Sequence, residues 1–466
     1  MNMTHFDAGE KNGGRPVVLL CVGGEGPPLE PDVVIDGDVH CSIAVTILAP
    51  MLGAAVFALE HRYYGKSNVT DDLSLENLRY LSSRQAVEDV AAFVRYAIDE
   101  YKIEKGENQR AQVVTFGGSY PGMVAGFSRL KYPDIISAAV ASSAPVEATL
   151  NYQGYNFVVG EAIANPLVGG SKECRASVEE AFAALGDALH RDYEADALAS
   201  KFSTCGGGDA LRDRDNQRVL LETLSIIFPA QSNDPSCTQS NCNIEKVCET
   251  MIMTPGTTLS RLAALARDVL LGDGAVAATD GEGDCIDVDA KAERTQLLDT
   301  SIDNWDRVWF YQTCTEFAFY QTCDPGHCPF TTNPHLVTLE SFTDDCEAAF
   351  NISADEVAAN VKATNIEYGG KAIAGTKIFF PNGSVDPWYA AGVLKSLPEE
   401  PALMVTGASH HAWTHPPRAT DQASVIAARK VIVDQVIAWL ADDDSKEHAH
   451  AMFPKNGATL QTLSAL

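Results

Sequence analysis

Residues 111–146 read AQVVTFGGSYPGMVAGFSRLKYPDIISAAVASSAPV, and the rest of the chain is organised around them. The β-branched and aromatic run at 112–116 predicts a buried strand. The small and apolar residues at helical spacing over 123–132 predict a helix. Gly117 and Gly118 separate the two, and Ser119 falls on the junction. A serine held in such a turn stands clear of the strand end as a nucleophile elbow, with the next backbone N–H aimed at the oxygen of a reacting carbonyl. Gly117 fits that pattern, whereas the second glycine of G-x-S-x-G is replaced by Pro121, with Gly122 one residue later. Proline is tolerated in a first helical turn because the N–H it lacks would be unpaired there. On its own the stretch reads equally well as a plain turn, so the decision falls to its surroundings.

Before it, 16–22 is an apolar strand that runs into GGEGPP at 23–28. A glycine-rich loop at a strand exit can turn backbone N–H groups toward a developing oxyanion, which makes Gly24 the second candidate donor beside Tyr120. A helical stretch at 43–52 and a strand at 54–59 follow, then EHRYYGKS at 60–67, which reads as a structural ion-pair knot. An amphipathic helix at 82–101 leads into the elbow, and a further strand at 138–142 comes after it. Strands alternating with helices in this way predict an α/β fold with a doubly wound, mostly parallel sheet.

Past residue 146 the pattern turns helical, at 178–189, 219–227 and 259–271, with Gly-, Asp- and Cys-rich loops between. The expected organisation is a core at 1–146, an inserted helical cap at 147–300 stapled by disulfides, the rest of the core at 301–442 and a polar, mobile tail at 443–466. The aromatic stretch 305–322 predicts a helix returning to the core, with Glu316 as a candidate for touching substrate. A strand at 376–380 ends in PNGSVDPW, placing Asp386 on its exit loop. The strand at 402–406 is followed by GASHHAWTH, which places His410 and His411 likewise, and a final helix covers 424–440.

Ser119, Asp386 and His410 therefore stand at strand exits in the chain order Ser, Asp, His of α/β-hydrolases. In such a set histidine takes the serine proton, aspartate fixes its tautomer and backbone N–H groups hold the oxyanion. An esterase or lipase on the same residues, and a homologue that only binds peptide, are the alternatives.

The bulk numbers narrow the partners. With 63 acidic and 34 basic residues, a formal charge of −29 argues against a nucleic-acid partner. No apolar run reaches the about 18 to 20 residues that cross a bilayer. The 12 cysteines, Cys21 and Cys41 near the start and the others between Cys174 and Cys346, suggest disulfides and an oxidising compartment. Their spacings, such as Cys237-x4-Cys242-x5-Cys248 and Cys323-x4-Cys328, fit zinc poorly, so no metal is expected. Sequons at Asn2, Asn68, Asn351 and Asn382 are compatible with glycosylation, the last in a stretch that reads as buried. The first 16 residues carry no signal-peptide pattern, so the recorded start is expected to be truncated.

Taken together, GGEGP at 23–27, EHRYYGKS, GGSYPG at 117–122, RLKYP at 129–133, SSAPV at 142–146, WFYQTCTEF at 309–317 and NGSVDPW at 382–388 resemble the prolyl carboxypeptidase and dipeptidyl peptidase II family of serine peptidases. Pro121 and the run FYQTCTEFAFYQTC are most similar to its thymus-specific branch. The resemblance implies an α/β-hydrolase lacking the first strands of its sheet, and an acid-active exopeptidase cutting short peptides beside proline or a small apolar residue. It implies Ser119 as nucleophile, Asp386 as orienting acid, His410 as base, and Tyr120 and Gly24 at the oxyanion. Met123 and Trp388 match an apolar proline pocket, with Glu25 and Glu316 as further substrate-binding candidates. It also implies a lysosomal, vacuolar or secreted location, no cofactor, and short proline-containing peptides as partners; a homodimer is left open. Two departures stand out. Ala412, Trp413, Thr414 and His415 replace a Leu-Asp-Leu-Arg pattern, and Phe310 stands where a dipeptidyl peptidase has an acid.

Overall fold

Alternate residues of a strand point to opposite sides of its sheet, and Val17–Val22 shows what that requires here. Val18, Leu20 and Val22 enter one apolar core, while Val17, Leu19 and Cys21 enter another on the opposite face. A strand buried on both faces belongs to the middle of a parallel sheet covered by helices on either side. The computed structural model describes residues 1–37, 40–104, 110–272, 285–324, 326–332 and 335–442. Its strands in chain order are β1 (Val17–Val22), β2 (Ala55–Leu59), β3 (Gln112–Gly118), β4 (Ala138–Ser142), β5 (Thr149–Asn151), β6 (Ala318–Tyr320), β7 (Ile378–Gly383) and β8 (Ala402–Val405). Six of these form one sheet in the order β2-β1-β3-β4-β7-β8, parallel at every pairing.

The chain steps outward from β1 to β2 and then returns to the other side of β1 with β3. That reversal opens a crevice beyond the carboxyl ends of β1 and β3, where such sheets hold their ligands. The glycine loop 23–28 leaves β1 and the Ser119 turn leaves β3, so both border the crevice.

One face of the sheet is covered by the helices Ser83–Glu100 and Tyr120–Lys131, joined by the aromatic segment after Trp305. The other is covered by residues 43–52 and by the last helix, Ala423–Asp442. The segment 43–52 is a π-helical turn followed by one α-helical turn rather than the uniform helix its apolar pattern suggests.

A separate apolar core is built from cap helices, with Phe182, Leu221, Met251 and Leu265 fully buried in it. It also takes in Cys323, Cys328, Phe330 and Val337, so residues beyond 300 pack with the cap. The expected single helix over 305–322 stops at Phe317. An α-helical turn segment Trp305–Gln312 passes into a π-helical turn Thr313–Phe317, and Ala318 and Phe319 take positive φ values of 54° and 63°. The chain needs that break so that β6 can lie parallel to β5, which places its departure into the cap beside its return.

All cysteines are paired, Cys21 to Cys41, Cys174 to Cys248, Cys205 to Cys285, Cys237 to Cys242, Cys314 to Cys346 and Cys323 to Cys328. Cys174–Cys248, Cys205–Cys285 and Cys237–Cys242 staple the cap. Asn68 and Asn351 are exposed, whereas Asn382 is buried and its amide donates to Phe380 O and Val393 O, which closes that sequon to an oligosaccharide. Among the described residues no helix is long and apolar enough to cross a membrane. The tail expected at 443–466 lies outside the described residues.

Candidate active site

From Ala111 to Arg129 every residue is buried except Ser119. It sits at φ 63° and ψ −134°, a backbone conformation that costs a residue with a side chain on the order of 1–3 kcal/mol. The strain is held in place from several directions. Ser119 N–H donates to Ser142 O at the end of β4 (2.9 Å), and Met123 N–H donates back to Ser119 O (3.1 Å). Gly117 lets the first helical turn fold over the strand, because a Cβ there would lie 2.2 Å from Pro121 O. The helix begins at Tyr120, whose N–H therefore has no carbonyl of its own helix to meet.

The glycine loop comes to the same turn. A Cβ on Gly24 would lie 2.4 Å from Pro121 Cγ, so only glycine allows this approach. Gly23 N–H is spent on Leu59 O (2.8 Å), leaving that of Gly24 as the next donor on the loop.

Asp386 and His410 meet across two strand exits. His410 Nδ1–H donates to Asp386 Oδ2 (2.9 Å), and Asp386 Oδ1 accepts from Trp388 N–H (3.0 Å). Asp386 has no exposed surface. A carboxylate with both oxygens occupied and one facing Nδ1 fixes the proton there, so Nε2 keeps its lone pair. That nitrogen is buried and has no hydrogen-bond partner, which also means that Ser119 Oγ is not bonded to it in this structure. The exit of β4 ties the histidine loop to the elbow: Ser142 Oγ accepts from Trp413 Nε1–H (3.0 Å) and Ser143 Oγ from His411 N–H (3.0 Å). His411, at 4.4 Å from His410 between ring centroids, packs its ring against Gly118, and burial holds it well below the usual histidine range.

Beneath the elbow runs a buried polar chain. His61 Nδ1 faces the Arg62 carbonyl (2.7 Å), which can only accept, so the proton is on Nδ1 and Nε2 accepts from Tyr120 O–H (2.8 Å). Burial lowers His61 to about 4, consistent with that neutral tautomer. Gln312 Nε2–H donates to Tyr120 Oη (2.9 Å), and Gln312 Oε1 accepts from Tyr64 O–H (2.7 Å). Glu316 completes the chain: its carboxylate accepts from Ser83 N–H (2.9 Å) and Ser83 O–H (2.6 Å) and so caps the helix Ser83–Glu100. With 8% of its surface exposed, Glu316 has both carboxylate oxygens engaged by Ser83 and Gln312. Met123 is buried too, with no exposed surface. The EHRYYGKS loop is knotted as its charges require, Glu60 accepting from Leu29 N–H, Lys66 N–H and Ser67 O–H, and Arg62 forking onto Asp89 at 2.6 Å.

Trp388 keeps exposed surface beside His410 and forms an aromatic wall with Tyr152, Tyr155 and Phe319, ring centroids 5.3–5.5 Å from its own. Gln231, on a cap loop, is a residue the sequence reading missed. Its carbonyl accepts from His410 N–H (3.0 Å), and its Oε1 accepts from Trp388 Nε1–H (2.9 Å) and Tyr155 O–H (2.8 Å). No sequence pattern marked it, since FPAQSNDPSC reads as an ordinary loop. Glu25 follows Gly24 on the glycine loop, and its Oε2 is buried with no partner. Among the described residues no group of His, Cys, Asp and Glu is arranged to hold a metal ion.

A doubly wound parallel sheet with a helical cap, a strained serine after its third strand and an Asp–His pair on later exits is the architecture of an α/β-hydrolase. Solved structures similar to it include potato (Solanum tuberosum) epoxide hydrolase I, 14% identical with a TM-score of 0.32 over 91% of this chain and 92% of that one. An epoxide hydrolase from Vigna radiata is 13% identical with a TM-score of 0.31 over 92% of each chain. More specifically, residues 4–432 match the model of the family described as serine carboxypeptidase S28, and the chain belongs to that family of serine peptidases. It is similar to the human (Homo sapiens) thymus-specific serine protease, 35% identical over 431 residues, 91% of this chain and 79% of the relative. It is also similar to human lysosomal Pro-X carboxypeptidase, 27% identical over 425 residues, 85% and 76% of the two chains.

Proposed function

We propose that the chain is an exopeptidase that cleaves short peptides beside proline or a small apolar residue, through an acyl-enzyme on Ser119. The observation that carries this is His410, whose Nδ1–H is committed to buried Asp386 while its Nε2 lone pair has no partner. In this reading Nε2 takes the Ser119 proton as Oγ attacks the substrate carbonyl. The oxyanion that forms accepts from Tyr120 N–H and Gly24 N–H. His410 then gives the proton to the leaving amine, and water attacks the acyl-enzyme by the same path in reverse.

Trp388, with Tyr152, Tyr155 and Phe319 behind it, supports an apolar, flat-walled site suited to a proline ring. Gln231 seats the cap on His410 and Trp388, and a covered cleft favours short peptides over folded proteins. The 6 disulfides suit an oxidising compartment, and with a lysosomal relative they support a lysosomal, vacuolar or secreted location. A library of short peptides with proline at each position, read by mass spectrometry, tests the preference. Products ending or beginning one or two residues from a terminus, beside proline or alanine, are expected. Cleavage in the middle of long peptides without regard to proline would contradict the reading.

A further inference from the structure

Choosing which end of a peptide to trim requires a group that reads either a terminal ammonium or a terminal carboxylate. A carboxylate is met by a cation or, equally well in a dry site, by the O–H of a neutral carboxylic acid, the short and strong kind of hydrogen bond. The arginines of the elements that build this site are already committed. Arg62 is on Asp89 and Tyr80 O, Arg129 on Thr376 and the Pro133 and Ile136 carbonyls, and Arg429 on Asp421 and the Trp413 and His415 carbonyls. The nearby anions Glu60, Glu316 and Asp386 are committed too.

Glu25 differs from all of these. It is the residue after Gly24, on the loop that packs against Pro121 in the elbow's first turn. Its Oε2 is buried and meets no donor or acceptor. The titratable groups around it are Tyr64 and Tyr120, whose hydroxyls already donate to Gln312 and His61, with Glu316 and neutral His61 beyond them. Among the described residues no cation acts on its carboxyl. Burial pushes its carboxyl up to about 8, against a smaller pull from its own backbone N–H. Across acid and neutral pH the group is therefore a neutral O–H donor with nothing to donate to. A substrate ammonium would need it ionised; a substrate carboxylate would not.

Resting on the serine-peptidase reading of Ser119, we infer that the unpartnered Glu25 carboxyl donates a hydrogen bond to the terminal carboxylate of the peptide, so that this site trims substrates from the carboxyl end without a cation. The test compares one proline-containing peptide as its free acid and as its carboxyl-terminal amide, from pH 5 to 9. The quantity read is the ratio of the two kcat/KM values, from which any pH dependence common to both peptides cancels. Active-site titration with a fluorophosphonate counts competent enzyme in each preparation.

The wild type should prefer the acid by about tenfold or more at pH 5, mainly through KM, and lose that preference as pH rises through about 8, where Glu25 ionises. Glu25→Gln, which keeps an N–H donor, should hold the preference at every pH. Glu25→Ala should reduce it to near parity. A preference that survives in Glu25→Ala, one that grows with pH, or one lost instead in a Lys66→Ala variant would overturn the inference. A wild type that does not take up the fluorophosphonate would bring down the serine reading itself, a failure visible before any ratio is measured.

Discussion

Asp386→Asn is expected to lower kcat about 10⁴-fold while leaving the fold intact. The reason is which atom of the new amide goes where. In the wild type Oδ1 accepts from Trp388 N–H and Oδ2 from His410 Nδ1–H. Trp388 N–H still requires an acceptor, so the amide oxygen takes that place and the amide NH₂ faces His410 Nδ1. Nδ1 must then accept, the ring proton moves to Nε2, and the base that would take the Ser119 proton is already occupied. Two hydrogen bonds are kept and a buried negative charge is removed, so thermal unfolding should change little. Steady-state kinetics on a proline peptide beside a melting curve checks both halves. A fall in kcat of less than tenfold would mean that Asp386 does not set the tautomer of His410.

The second large effect is structural. A Cβ at Gly117 would lie 2.2 Å from Pro121 O and 2.3 Å from Pro121 C, backbone atoms that no rotamer change can move. Gly117→Ala must therefore push the first turn of the elbow helix off the strand. The destabilisation should reach the upper end of the about 1–3 kcal/mol seen for overpacking, or exceed it. Displacing Ser119 by even about 1 Å should cost on the order of 10² in rate in whatever protein still folds. Gly126→Ala is the control, because a Cβ there meets only side-chain carbons at 3.5 and 3.6 Å. Urea unfolding of the two variants separates the cases, and equal stability would show that the close approach at Gly117 is dispensable.

Much of this site was legible in the sequence because strand ends in a parallel sheet announce themselves. An apolar run that stops at Gly117, at Asn382 and Gly383, or at Gly407 can only be a strand exit, and the residues following such exits share one edge. Ser119, Asp386 and His410 were found in this way, and the structure brings the last two into contact. The glycine-rich loop at 23–28 was likewise readable as a strand exit able to turn backbone N–H groups toward an oxyanion, while its close approach to Pro121 was not. What stayed hidden depends on contacts between distant parts of the chain. Glu316 looked available to substrate because its partner, Ser83, is 233 residues away. Met123 was assigned to the pocket by resemblance, yet the packing of its helix against the sheet leaves it no accessible surface. Gln231 lies in a loop with no periodicity, and its importance comes from being where the cap meets His410. The break after Phe317 follows from β5 and β6, each 3 residues long, too short to leave a pattern of their own.

The claim on which all of this turns is that Ser119 is an activated nucleophile. Incubating the protein with a fluorophosphonate probe at pH 5 and pH 7, digesting it and sequencing the labelled peptide by mass spectrometry tests that claim directly. The account predicts one adduct, on Ser119 within the peptide that spans β3 and the elbow helix, absent from Ser119→Ala protein of the same melting temperature. A folded wild type that takes up no probe, or an adduct on another serine that survives in Ser119→Ala, would contradict it.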